Sequence, residues 1–168
     1  MHIFLTGDIQ VGKTTIIRKF LSKSRLPADG FMTYWEPDND GGRSLYISPY
    51  SLNSQPVEKY LIARDDGNQR LSLENMAVTF DMRGSGILQD SGKRDIIIMD
   101  ELGFLESNAE IFKRAVMRHI GGAVPILGVI RSRRTAFLDL IRAHPGVKVC
   151  EVTAENREAV LNWLLENI

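Results

Sequence analysis

A mainly parallel α/β sheet flanked by helices is the fold predicted by this chain of 168 residues, and three observations predict it. Short apolar runs alternate with amphipathic segments of helical spacing. Two of those runs, residues 96–99 within DIIIMD and residues 124–130 (VPILGVI), are almost wholly apolar, as strands covered on both faces are. The first run, residues 2–6 (HIFLT), passes directly into GDIQVGKT at Gly7 to Thr14, a glycine-containing stretch that opens a helix.

Bulk properties bound the answer. A hydrophobic fraction of 43% with 25% charged residues suits an ordinary globular chain with a sizeable core, read as one domain over 1–168. The net charge of zero gives no nucleic-acid footprint. Cys150 is the only cysteine, which rules out an internal disulfide and multi-cysteine zinc sites. With no leader-like segment and no apolar run of membrane-spanning length, a cytoplasmic protein without a membrane role is expected.

Taken in order, residues 14–24 (TTIIRKFLSKS) present Ile16, Ile17, Phe20 and Leu21 on one helical face. Residues 31–36 (FMTYWE) and 45–50 (LYISPY) flank an Asp-Gly turn and predict an antiparallel hairpin, inserted roughly over 30–65. Residues 57–63 (VEKYLIA) suggest a further strand closed by a turn at Gly67-Asn68, and residues 77–80 (AVTF) suggest a short one. Gly84 and Gly86 weaken a helix over 81–90.

Beyond the DIIIMD strand, Ser107 and Glu110 form an apparent capping box, and Ile111, Ala115, Val116 and Ile120 form the inward face of its helix. A helix over 135–144 turns Phe137, Leu138 and Ile141 inward, and residues 147–152 (VKVCEV) form the last strand. Thr153 would cap a terminal helix burying Ala159, Val160, Trp163 and Leu164.

GDIQVGKT fits G-x-x-x-x-G-K-[ST], the phosphate-binding loop pattern. Glycines let successive backbone N–H groups converge on phosphate oxygens, and the following helix directs its positive end at the same anion. Lys13 supplies charge for the β- and γ-phosphates, and the Thr14 hydroxyl is placed to ligate Mg²⁺. The nucleotide-binding candidates are thus Gly7, Asp8, Ile9, Gln10, Val11, Gly12, Lys13, Thr14 and Thr15.

Open α/β sheets bind ligands beyond the carboxyl ends of their strands, which collects the other candidates at one edge. Asp100, ending an apolar strand, suits a Mg²⁺-holding carboxylate, and Glu101 suits a base for an attacking water. Arg131, Arg133 and Arg134 offer a cation for the γ-phosphoryl oxygens, any one of the three fitting. Asn156 and Arg157 lie past the last strand, where either base or ribose contacts or local helix-start hydrogen bonds suit them. His119 and His144 sit near helix ends, Trp35 and Trp163 suit packing, and Cys150 suits a buried, inert thiol.

With these segments in view, the chain resembles the THEP1-type nucleoside-triphosphatases. The likeness covers nearly the whole chain and rests on FLTGDIQVGKTT, GFMT at Gly30 to Thr33, GGR at Gly41 to Arg43, MDELGFLE at Met99 to Glu106, and VKVCEVTAENR at Val147 to Arg157. The corresponding family segments look like VGKTT, GF-x-T, DEIGKME and VT-x-ENR. The resemblance implies a RecA-like phosphate-loop core with an added hairpin, and slow Mg²⁺-dependent hydrolysis of ATP, GTP and other nucleoside triphosphates. By position it gives Lys13, Thr14, Asp100 and Glu101 the phosphate, metal and water-activating roles. Phe104 departs from a Lys common in the family, and Asp8 and Gln10 from Pro and Gly.

Hydrolysis of nucleoside triphosphates with broad base preference is therefore the leading expectation. A nucleotide or nucleoside kinase, or a nucleotide-dependent binding module with incidental turnover, are its alternatives. No N-K-x-D guanine-reading motif is present, which disfavours a regulatory GTPase.

Overall fold

A computed structural model describes residues 1–51, 58–65 and 73–168. The elements run β1 (His2–Thr6), α1 (Lys13–Ser24), β2 (Ala28–Pro37), β3 (Arg43–Pro49), β4 (Tyr60–Asp65), α2 (Leu73–Thr79), a π-helical turn (Phe80–Gly84), α3 (Ser85–Asp90), β5 (Ile96–Leu102), α4 (Glu110–Ile120), β6 (Ile126–Ile130), α5 (Ala136–Ala143), β7 (Val147–Glu151) and α6 (Arg157–Asn167). The seven strands form one sheet in the order β4-β3-β2-β5-β6-β1-β7.

The five strands from β2 to β7 pair in parallel, and β3 and β4 add antiparallel strands outside β2. The expected hairpin is therefore part of the main sheet: β2 pairs with β5 on one side and with β3 on the other. Parallel pairing explains the apolar runs. Ile96, Ile97, Ile98 and Met99 have no exposed surface, because helices cover both faces of β5. Ile3, Leu5, Ile98 and Val129 pack with α1 and α6, and Phe4, Ile97, Met99 and Ile130 pack on the opposite face with α4 and α5.

Several expectations are corrected. Residues 77–80 are helical, because Met76, Phe80, Gly84 and Leu88 recur at helical spacing and are all buried. Gly84 is required by packing: a Cβ there would lie 2.8 Å from the Phe112 ring. The β4 strand begins at Tyr60, later than expected, while Val57 and the Gly67-Asn68 turn lie outside the described residues.

The capping box is not formed. Helix α4 starts at Glu110, the Ser107 hydroxyl donates to the Phe104 carbonyl, and Glu110 pairs with Lys113 at 2.6 Å. Asp81 of the π-helical turn instead accepts the Phe112 N–H at 2.9 Å, so a distant carboxylate satisfies a free donor at the helix start. Phe112, absent from the expected inward face, is fully buried, whereas Ile111 is exposed. At the last helix Asn156, not Thr153, is the N-cap residue, and Ala159 is exposed while Leu161 is buried. Thr135 does cap α5, accepting the Leu138 N–H at 3.2 Å.

Candidate active site

The phosphate loop links β1 to α1 at the carboxyl edge of the parallel strands. Its backbone has positive φ at Gly7 (132°), Gln10 (62°) and Gly12 (101°), the twisting that turns successive N–H groups inward. Gly7 is also held by proximity, since a Cβ there would stand 2.3 Å from the carbonyl of Val152, the residue after β7. Lys13 folds back over the loop, its Nζ donating to the carbonyls of Gly7 (2.9 Å) and Asp8 (2.6 Å). Lys13 is only 8% exposed, and burial lowers its pKa while Glu101 and Asp100 work to raise it. The Asp8, Ile9, Gln10 and Thr15 side chains are exposed, Val11 and Gly12 half-buried.

Across the sheet, the Thr14 hydroxyl donates to Asp100 Oδ1 at 3.2 Å, joining residues 86 positions apart. Asp100 is 3% exposed, and burial raises its pKa to about 6 against the opposing Thr14 hydrogen bond. Two hard oxygen donors at this distance fit Mg²⁺, which binds proteins through one or two carboxylate or hydroxyl oxygens and keeps water and phosphate in its remaining positions. Among the described residues no group of three or more His, Cys, Asp or Glu side chains is arranged to hold a metal ion alone. The Asp100–Glu101 peptide bond is cis.

Glu101 is held at two points. Its N–H donates to Thr33 Oγ1 of β2 at 3.3 Å, and its carboxylate pairs with the Arg131 Nε–H at the end of β6. The three arginines separate here. Arg131 reaches the centre, with Arg142 donating to its carbonyl at 2.5 Å. The Arg133 guanidinium lies 4.6 Å over the Phe104 ring. Arg134 turns away to Asp139 at 2.8 Å.

Two cavities meet at this point. The outer one, about 240 Å³, is lined by Gly7, Asp8, Ile9, Lys13, Glu101, Phe104, Arg131, Ser132 and Arg133. The inner one, about 180 Å³, is lined by Thr14, Thr33, Trp35, Leu45, Phe80, Asp100, Glu101, Gly103, Phe104, Leu105, Glu106 and Arg131. Glu101, Phe104 and Arg131 are walls of both.

Asn156 and Arg157 stay outside both cavities. Asn156 braces the turn after β7, accepting the Thr153 N–H (2.8 Å) and donating to the Glu151 carbonyl (2.9 Å). Arg157 donates to Ala154 O at 3.2 Å and lies against Gly12 of the loop. Among the residues read as structural, Cys150 is half-buried with its pKa raised by burial. His119 Nε2 lies 2.7 Å from Leu88 O, a specific tie between α4 and α3.

Sequence reasoning missed Glu106 as a site residue. It is 2% exposed and accepts the Gly103 N–H at 2.6 Å, and burial raises its pKa to about 7. Its signal was a carboxylate within the apolar, glycine-containing segment after the strand. Thr33, Trp35, Leu45, Phe80 and Leu105 had no comparable signal.

A mainly parallel sheet with a phosphate-type loop, a buried carboxylate against the loop threonine and an adjoining glutamate defines the class of phosphate-loop nucleotide enzymes. The chain matches the model of a family described as NTPase over residues 2–165. It is 31% identical to the human cancer-related nucleoside-triphosphatase, covering 95% of this chain and 92% of the relative. It is 28% identical to the nucleoside-triphosphatase THEP1 of Methanopyrus kandleri, covering 99% and 94%. Its fold is similar to the solution structure of the human cancer-related nucleoside triphosphatase, with a TM-score of 0.68 at 28% identity over 98% of this chain and 95% of that one. It is also similar to crystalline THEP1 from Aquifex aeolicus, with a TM-score of 0.77 at 24% identity over 99% and 98%. This chain belongs to that NTPase family.

Proposed function

We propose that the loop, Asp100, Glu101 and Arg131 form one Mg²⁺-dependent centre at which this nucleoside-triphosphatase transfers the γ-phosphoryl group of a nucleoside triphosphate to water. The observation that carries it is the Thr14–Asp100 hydrogen bond, which joins the loop to the carboxylate expected to face the cation. The backbone N–H groups of residues 8–14 and Lys13 take the phosphate chain, Lys13 exchanging its two loop carbonyls for phosphate oxygens. Thr14 and Asp100 would hold Mg²⁺, which when bound neutralises charge on the β- and γ-oxygens. Glu101, fixed by Thr33 and open to both cavities, accepts a proton from the attacking water.

Arg131 is the arginine placed to act on the transferring group. Its contact with Glu101 is partly exposed, 38% and 25% for the two side chains, and such a pair is worth about 1 kcal/mol or less. A multiply charged γ-phosphate attracts a guanidinium more strongly, so nucleotide binding draws Arg131 over and frees Glu101 to act as base. Arg133 on Phe104 lines the outer cavity and brings a positive charge beside the position where the family resemblance has a common Lys. Base preference is broad in this reading, because both ends of the Asn156 amide are engaged with backbone and not offered to a base. A cytoplasmic setting agrees with the single cysteine, and no helix among the described residues is long and apolar enough to cross a membrane.

Phosphate release from ATP, GTP, CTP and UTP, each with Mg²⁺ and with excess chelator, tests the proposal. Comparable rates with all four and loss with chelator are expected; full activity in chelator would overturn the metal-assisted mechanism.

A further inference from the structure

Strand order gives a bound triphosphate its direction. Along the run β5-β6-β1-β7, the carboxyl edge carries Asp100 and Glu101, then Arg131, then the phosphate loop, then the turn at residues 152–156. Lys13, Glu101 and Arg131 line one cavity on the β5–β6 side of the loop, where the γ-phosphoryl end belongs. A phosphate chain laid along the loop from that end carries its nucleoside toward β7.

The turn after β7 is tied to the loop at several points. The Val152 N–H donates to the Thr6 carbonyl at 2.8 Å, and Gly7 packs on the Val152 carbonyl. Ile16, Ile17 and Phe20 of α1 share one apolar cluster with Val160, Leu161 and Leu164 of α6. The start of α6 therefore stands beside the start of α1, and Arg157 crosses between them. Its Cδ and Nη1 lie 3.3 and 3.7 Å from the point where a Gly12 Cβ would stand.

Arg157 is held there but not spent. Its Nε–H donates to the Ala154 carbonyl at 3.2 Å, and its terminal N–H groups have no hydrogen-bond or ion-pair partner among the described residues. Arg157, Thr153 and Ala154 are all exposed, so a flat ligand can reach the guanidinium plane. Glu155 and Glu158 flank it, both exposed, which makes this turn a poor second site for phosphate. A nucleobase is flat and uncharged, and every base has a π-face, so stacking needs no particular pattern of donors and acceptors.

From this placement we infer that Arg157 is the nucleobase platform of the site, its guanidinium stacking on the base of the bound nucleoside triphosphate. The inference rests on the proposed course of the triphosphate over the loop. The platform supplies affinity without reading base identity, at a turn whose Asn156 amide is engaged with backbone.

The test measures KM for ATP, GTP, CTP and UTP, and the inhibition constant of inorganic tripolyphosphate against ATP. It compares the wild type with Arg157→Ala, Arg157→Lys and Arg157→Phe. Arg157→Ala should raise KM by about fivefold for all four nucleotides. Its kcat should stay nearly unaltered, because the contact is equally strong in ground and transition states. Tripolyphosphate has no base and should bind Arg157→Ala and the wild type alike, which also shows that the loop is intact. Arg157→Phe keeps a plane without charge or donors, and should restore more affinity than Arg157→Lys, which keeps the charge and loses the plane. Equal losses for tripolyphosphate, or better rescue by Lys than by Phe, would make Arg157 a phosphate or ribose contact and overturn the platform. A loss confined to one base, or no change with any of the four, would overturn it too while leaving hydrolysis intact. Tripolyphosphate that fails to compete with ATP in the wild type would instead overturn the loop assignment beneath the inference.

Discussion

The two cavities that meet at Glu101 are built in opposite ways. The outer cavity comes mostly from contiguous chain: the loop after β1 and the Arg131–Arg133 turn after β6. The inner chamber joins Thr14 and Asp100 to single residues from β2, β3, the π-helical turn and the segment after β5. Local backbone geometry, with glycines at positive φ and a helix start, defines the first. Side chains that meet only after the sheet has formed define the second. The difference teaches that the loop's conformation is a local property of this chain, whereas the walls around Glu101 are a property of the fold.

Substitutions that separate the shared wall from each cavity sharpen that contrast. The largest effect is expected from Arg131→Ala, which should lower kcat by about 10³-fold with nucleotide affinity changed much less. Arg134→Ala, whose guanidinium is spent on Asp139, should leave kcat unaltered. Steady-state kinetics on the two variants would break the assignment if their effects were equal. Glu101→Gln should reduce kcat by about 10²-fold or more while equilibrium nucleotide binding persists, since proton acceptance matters in the transition state. Full turnover in that variant would place the base elsewhere.

Lys13→Ala acts on the outer cavity alone and should weaken nucleotide binding by about 10²-fold, through loss of a charge-assisted contact worth roughly 2–3 kcal/mol. Fluorescent-nucleotide titration reads it, and unchanged affinity would remove the loop from phosphate recognition.

The smallest effect belongs to the inner chamber and depends on pH. Glu106 has its pKa raised by burial from 4.5 to about 7, so the folded protein binds its proton more tightly than the unfolded chain does. Its contribution to stability is therefore fully present below pH 4.5 and is lost as pH rises through about 7. Glu106→Gln keeps an acceptor for the Gly103 N–H but carries no charge. It should raise stability at pH 8 by on the order of 2 kcal/mol, with little change at pH 4. Thermal melts at the two pH values check this; equal shifts at both would show that ionisation is not the cause.

The contrast between cavities also accounts for what was legible before folding. Residues 2–24 could be read as strand, loop and helix because each feature depends on neighbours a few positions away. Asp100 and Glu101 could be picked out because they end an unbroken apolar strand. Residues 77–80 misled, since their β-branched and aromatic side chains suit a strand locally. The contact of Phe80 and Gly84 with Phe112 joins them to a helix that follows nearly thirty residues later. Ser107 and Glu110 had the spacing of a capping box, but Asp81 reaches the start of α4 from outside.

By itself, then, the amino-acid sequence determined a strand–loop–helix unit of the phosphate-loop pattern and a carboxylate pair that ends a buried strand, because spacing along a chain dictates local geometry. Only the tertiary structure decided which arginine reaches Glu101 and that Glu106 is buried beside it. It also decided that Trp35, Leu45 and Phe80 enclose a second chamber. Those facts depend on strand order: placing β2 beside β5 brings Thr33 and Trp35 to Glu101, and no periodicity along the chain encodes which strands become neighbours.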